Sequence, residues 1–309
     1  MSLLLLGFPS VEVQCADRVG SDDSAAASGK IEQLLELSGV FRDARTATDT
    51  MIAQLRADNP AVPAEVWSTV APQLTDRGTL LAVYAPILER HVAQSDVVQL
   101  LAFYRSPLGT HLVAVMPQIQ QECRTAAVSW ANSVAADLVA SLGIPGDTVG
   151  SSESPGSLAP VTSARDRAIR TLLQTSGAVE DWRNTINQFI DRLRNAPGTS
   201  DLPPVYWERA RARLTNESDL LRLWGPAYGH YLSDLQIRQL IAFYRSGPAQ
   251  RYVSALPAIR QESIDSASRL AAETMRRAIR QTLGPLPQWK LQHPDPIPAS
   301  GEPAKDPSR

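Results

Sequence analysis

Apolar residues recur at helical spacing along most of this chain. Ile31, Leu34, Leu35 and Ser38 keep the i, i+3, i+4, i+7 spacing of one helix face, and Gly39 is a natural stop. A second helix carries Val40, Phe41, Ala44, Thr48, Met51, Ile52 and Leu55 until Asn59-Pro60 breaks it. Pro63 opens a third through Val66, Trp67 and Val70, and a fourth runs through Leu80, Leu81, Val83, Tyr84, Ile87 and Leu88. Pro86 and Pro226 fall inside that fourth pattern, where a kink or a start is expected. A fifth helix ends at Ser106-Pro107, because the residue before proline resists helical angles. The last is expected to start at Pro117 or Pro257. No stretch alternates apolar and polar residues in the manner of a strand with turn signals. The fold class read from this pattern is all-α, as two tandem, similar helical bundles.

The two bundles follow from an internal repeat. Residues 99–122 and 239–262 align without a gap, and twelve of the 24 positions are identical. The block Leu100-Leu-Ala-Phe-Tyr-Arg-Ser106 returns as Leu240-Ile-Ala-Phe-Tyr-Arg-Ser246. Upstream, Leu34-Leu-Glu-Leu-Ser-Gly39 matches Leu172-Leu-Gln-Thr-Ser-Gly177, and Trp67 matches Trp207. Two copies of about 115 residues are each of domain size. In the second, Ser233-Asp-Leu-Gln236 is a capping box for the fifth helix; in the first, Ser95 or its neighbours serve that end more weakly.

At the repeated block the sequence resembles the bacterial family named domain of unknown function (DUF) 2059. The residues that carry the resemblance are Leu34-Leu35, Ser38-Gly39, Phe103-Tyr104-Arg105-Ser106-Pro107-Leu108-Gly109 and Pro117, with their counterparts Leu172-Leu173, Ser176-Gly177, Phe243-Tyr244-Arg245-Ser246 and Pro257. The second copy departs at Gly247-Pro248-Ala249, which replaces Pro-x-Gly, so its turn is expected to be built differently. The resemblance implies a helical domain, often exported, with no catalytic residues to carry over.

The segments outside the copies differ in composition. The domain reading is an N-terminal segment 1–29, a first helical domain 30–142, a linker 143–164 rich in Gly, Ser and Pro, a second helical domain 165–284, and a Pro-rich disordered tail 285–309. Leu3-Leu-Leu-Leu-Gly-Phe8 is apolar but short, and no Lys or Arg precedes it; a truncated signal peptide and a disordered N-terminus are equally good readings. A periplasmic or secreted location is favoured over a cytoplasmic one. No apolar run approaches the roughly 20 residues that span a bilayer.

Charge separates the copies. Residues 30–142 carry a net charge of −3 and residues 165–284 a net of +6. The basic excess could attract an acidic partner or the first copy itself. Arg209, Arg211 and Arg213 share one helix, and Arg276, Arg277 and Arg280 end the final one. Without interleaved aromatics, and with a pI near 6.1, a protein partner is favoured over nucleic acid. Two cysteines, Cys15 and Cys123, exclude a disulfide framework but leave one bond open.

Candidate chemistry is sparse. No histidine aligns with a histidine: His91 meets Tyr231, His111 meets Arg251 and His230 meets Arg90. There is no metal-ligand spacing, nucleotide loop or nucleophile elbow, so no metal, no cofactor and no catalytic residue is assigned. The polar residues present in both copies are the candidates: Tyr104, Arg105, Ser106 and Glu122, and Tyr244, Arg245, Ser246 and Glu262. Read functionally, they line a shared polar pocket. Read architecturally, they cap helix ends and answer helix dipoles, with Arg105 pairing to Glu122 across the turn. The architectural reading is preferred. The function expected is a non-enzymatic helical binding or scaffold protein of the bacterial envelope, with an exposed apolar groove. An enzyme or small-ligand binder using the repeated polar set is the alternative.

Overall fold

The computed structural model describes residues 21–143, 163–196, 199 and 202–283. Cys15, the N-terminal apolar run, most of the linker and the Pro-rich tail lie outside the described residues. Within them every regular element is an α-helix. The first repeat holds α1 (Ser21–Leu37), α2 (Val40–Asp58), α3 (Ala64–Thr75), α4 (Arg77–His91), α5 (Gln94–Arg105) and α6 (Pro107–Ser141). The second holds α7 (Ala164–Thr175), α8 (Ala178–Arg194), α9 (Pro204–Leu214), α10 (Glu217–Tyr231), α11 (Asp234–Tyr244) and α12 (Gly247–Leu283). The all-α reading and the tandem repeat stand.

Local signals explain the joints. Gly39 and Gly177 sit at φ 81° and 77° between the first two helices of each repeat. That left-handed step favours glycine and explains the repeated Ser-Gly. The backbone N–H groups of Ser38 and Ser176 still donate to Leu34 and Leu172. The Ser233–Gln236 capping box is present. The first repeat has no such cap: Ala93 occupies the N-cap position, and Ser95 lies inside α5.

The long helices correct the expected boundary. They begin at Pro107 and Gly247 and run through Pro117 and Pro257 to lengths of 35 and 37 residues. A proline inside a helix removes one hydrogen bond and costs about 3 kcal/mol. Here the apolar residues on either side, Leu112 and Ile119, are both buried in a core. Burying such side chains contributes about 1.5–3 kcal/mol each, enough to carry the helix through. Pro86 and Pro226 likewise sit inside α4 and α10.

A 35-residue helix is about 52 Å long at 1.5 Å per residue. It outreaches its own repeat. Helix α6 packs along α9 and α10 of the second repeat, and α12 packs along α3, α4 and α5 of the first. The repeats therefore exchange their sixth helices. Leu112, Ile119 and Cys123 of α6 complete the core formed by Ile169, Leu172, Leu220, Ile237 and Leu240. Ile259 of α12 joins Ile31, Leu35, Ile87, Val97 and Leu100. Farther along, Trp130, Val134 and Leu138 pack with Ile190 and Trp207, while Ala271 and Ala278 pack with Met51 and Trp67. The Trp67/Trp207 match is thus a packing match.

Candidate functional site

The repeated polar residues lie where the exchanged helices leave their own repeats. In the first, Ser106 is extended at φ −70°, ψ 156°, as the following proline requires. Its hydroxyl donates to the Phe103 carbonyl at 2.6 Å and accepts from the Gly109 N–H at 3.1 Å. Gly109 comes so near α5 that a Cβ there would stand 2.2 Å from the Phe103 carbonyl oxygen. This close approach explains Pro-x-Gly. In the second repeat the turn is built differently, as its sequence implied. α11 ends one residue earlier, with Arg245 at φ −82°, ψ −10°. Ser246 accepts from the Ala249 N–H at 3.4 Å, and Ala249 is buried.

Phe103 and Phe243 meet across the repeats, stacked with centroids 3.5 Å apart and ring planes 9° from parallel. Contact between equivalent residues is the signature of a two-fold, here an approximate one within a single chain. Each ring packs on the other repeat's core, Phe103 beside the second and Phe243 beside the first. Tyr104 and Tyr244 pack on the cores of their own repeats. Burial pushes both phenols upward, Tyr244 to about 12, so they stay protonated.

Arg105 and Glu122 do not pair. Arg105 donates to the Gln33 side-chain oxygen at 2.5 Å, and Arg245 is exposed. Glu122, on α6, accepts from the Tyr231 hydroxyl at 2.8 Å and lies 3.4 Å from His230 Nδ1, both on α10. Glu262, on α12, is bonded by Arg90 and, at 2.7 Å, by His91 Nε2, both on α4. Each repeated glutamate therefore holds its helix to the other repeat. Hydrogen bonds from Arg90 and then His91 keep the Glu262 carboxyl below its ordinary range.

A third contact was invisible in the repeat. Asp96, 2% exposed, accepts from Arg251 Nε at 2.7 Å and Nη2 at 2.6 Å. That fork lowers the Asp96 carboxyl. It joins α5 of the acidic repeat to α12 of the basic one, so part of the charge split is spent inside the molecule. Arg90, His91, Asp96, His230, Tyr231 and Arg251 were missed because comparison sought identity. The mismatched pairs His91/Tyr231 and Arg90/His230 are complements of one repeated carboxylate.

Tyr104, Arg105 and Glu122 are engaged separately: Tyr104 packs on the first core, Arg105 bonds Gln33 of α1, and Glu122 bonds Tyr231 of α10. The expected apolar groove is likewise not seen among the described residues, where the exposed large apolar side chains are Val98, Val128, Val205 and Leu235, on four different helices. The arginines of α9 and α12 belong to different packing units, and Arg211 is engaged by Asp191. Cys123 is buried, its thiol pushed up to about 12 by burial and by Glu122. Among the described residues no group of three or more His, Cys, Asp or Glu is placed to hold a metal, and no helix is long and apolar enough to cross a membrane.

These features define an all-α protein of two tandem repeats with reciprocally exchanged long helices. The family described as "Uncharacterized protein conserved in bacteria (DUF2059)" matches residues 79–137 and again residues 219–277. The family model thus matches the chain twice, once in each tandem repeat. Each matched stretch runs from the fourth helix into the exchanged sixth. No curated protein and no solved structure matches the chain.

Proposed function

We propose that this chain is a non-enzymatic helical binding or scaffold protein of the bacterial envelope. One observation carries the reading: the serines and glutamates common to both repeats are taken up by the turns and by bonds that hold the exchanged helices. Ser106 and Ser246 close the turns, and Glu122 and Glu262 bridge the repeats. The Tyr104 and Tyr244 rings are packed against the cores. Among the described residues the exposed large apolar side chains are few and scattered, on four different helices.

The test uses a strain lacking the gene and the natural full-length protein. Tyr104→Phe and Tyr244→Phe, which remove only hydroxyls, are expected to restore the wild-type phenotype. Failure to restore it by variants with wild-type melting curves would overturn the non-enzymatic reading. A C-terminal alkaline phosphatase fusion is expected to be active, since that reporter works only after export; an inactive fusion at normal expression overturns the envelope assignment.

A further inference from the structure

Helix α12 carries a charge pattern that its structural role does not require. Its inner face packs Ala271 and Ala278 against the first repeat, with Leu270, Met275 and Ile279 alongside. Its outer face exposes Arg269, Arg276, Arg277 and Arg280. Steps of seven and eleven residues return to within about 20° of one direction, so Arg269, Arg276 and Arg280 form a stripe, with Arg277 beside it. Arg276, Arg277 and Arg280 line one cleft together with Glu273 and Gln281.

Two structural explanations fall short. Cations answer a helix dipole only within the last turn, which accounts for Arg280 and not for Arg269 or Arg276. Ion pairing is also missing: Arg276 and Arg280 donate to backbone carbonyls of their own helix, Arg269 donates to Ser266, and none of the four meets a carboxylate among the described residues. Like charges at i and i+4 cost a few tenths of a kcal/mol. The equivalent helix of the first repeat has Ser129, Ala136, Asp137 and Ala140 at these positions and packs the same way. The arginines are therefore an addition to the fold.

Resting on the binding reading above, we propose that this stripe is a docking surface for an acidic polypeptide segment. The guanidinium fork matches a carboxylate with two parallel hydrogen bonds. The stripe is narrow and lies on the acidic repeat, with Glu65 of α3 and Glu89 of α4 exposed on helices that α12 covers. Exposed residues beside the arginines on this face include Ala272, Glu273 and Gln281, with no aromatic for base stacking and no large apolar anchor for a membrane interface. A single acidic chain can run along the four arginines and pass the one carboxylate in their cleft, Glu273.

The experiment is fluorescence anisotropy of a labelled Glu-rich peptide titrated with the full chain at ~50 mM salt, where exposed charges are weakly screened. Binding is expected to weaken at least about tenfold in the Arg276→Glu/Arg280→Glu variant. Arg209→Glu/Arg213→Glu, which alters the exposed arginines of α9, is expected to stay within about twofold of wild type. Both variants change exposed side chains, and circular dichroism checks their fold. Absence of peptide binding overturns the proposal. So does equal loss in the α9 variant, or tighter binding of duplex DNA or phosphatidylglycerol vesicles than of the peptide. Any of these leaves the non-enzymatic reading standing, because that reading is decided by the tyrosine variants.

Discussion

The helix exchange makes one prediction that a conventional pair of bundles does not share. Ile119 belongs to the first repeat by sequence, is 1% exposed and sits in the core of the second. Ile119→Ala deletes three carbons. At about 0.8 kcal/mol per buried methylene the transfer loss is about 2.4 kcal/mol, and the residual cavity raises the total toward 3–4 kcal/mol. A loss of about 3 kcal/mol in local opening free energy raises amide exchange about a hundredfold. Hydrogen exchange read by mass spectrometry should place that increase in α7, α10 and α11, which share the Ile119 core. Helices α1, α4 and α5 should change little. The reciprocal variant, Ile259→Ala, should deprotect α1, α4 and α5 and spare α7 and α11. If Ile119→Ala instead loosens the first repeat and spares the second, the exchange of helices is refuted.

Other outcomes follow from particular contacts. A protease site placed between Gly143 and Ser163 should leave the cut halves together on size exclusion, because each half holds the other's sixth helix; separate fragments would contradict the packing. Gly109→Ala should destabilise by roughly 2–4 kcal/mol in urea, since its Cβ would meet backbone at 2.2 Å and 2.7 Å, whereas Ala249→Gly should cost only about 1 kcal/mol. Ser263 is buried with its hydroxyl unpaired, so Ser263→Ala should raise stability by about 1 kcal/mol, and a drop in the urea midpoint would contradict that accounting. Asp96 and Glu262 titrate below their ordinary values, so their contribution is full above the unfolded carboxylate range and is lost as pH falls through the native one. Urea midpoints should drop between ~pH 5 and ~pH 3, and the Asp96→Asn/Glu262→Gln variant should show a flatter profile; an unchanged slope would mean those bonds add nothing.

Much of this was legible in the chain. Helical periodicity, the Ser-Gly steps at Gly39 and Gly177, the Ser-Pro turn at Ser106 and the capping box at Ser233 are local signals, and each acts through a few neighbouring residues. The 140-residue echo marked the tandem repeat for the same reason. The length of the sixth helix was not legible, because Pro117 and Pro257 read as starts, and only the cores around Leu112 and Ile119 offset the lost hydrogen bond. The partners of the repeated polar residues were not legible either. Glu122 and Glu262 are identical, yet one meets Tyr231 and His230 and the other His91 and Arg90.

By itself, then, the sequence determined the helices, their ends and their duplication, because those depend on spacing and on short-range hydrogen bonding. Only the tertiary structure decided which repeat each sixth helix completes. The two repeats present nearly the same apolar pattern, so either helix suits either core by composition. The choice is made at the turn, where the direction of the chain at Ser106 and Ser246, the Phe103–Phe243 stack and the Asp96–Arg251 fork carry each long helix across to the other side.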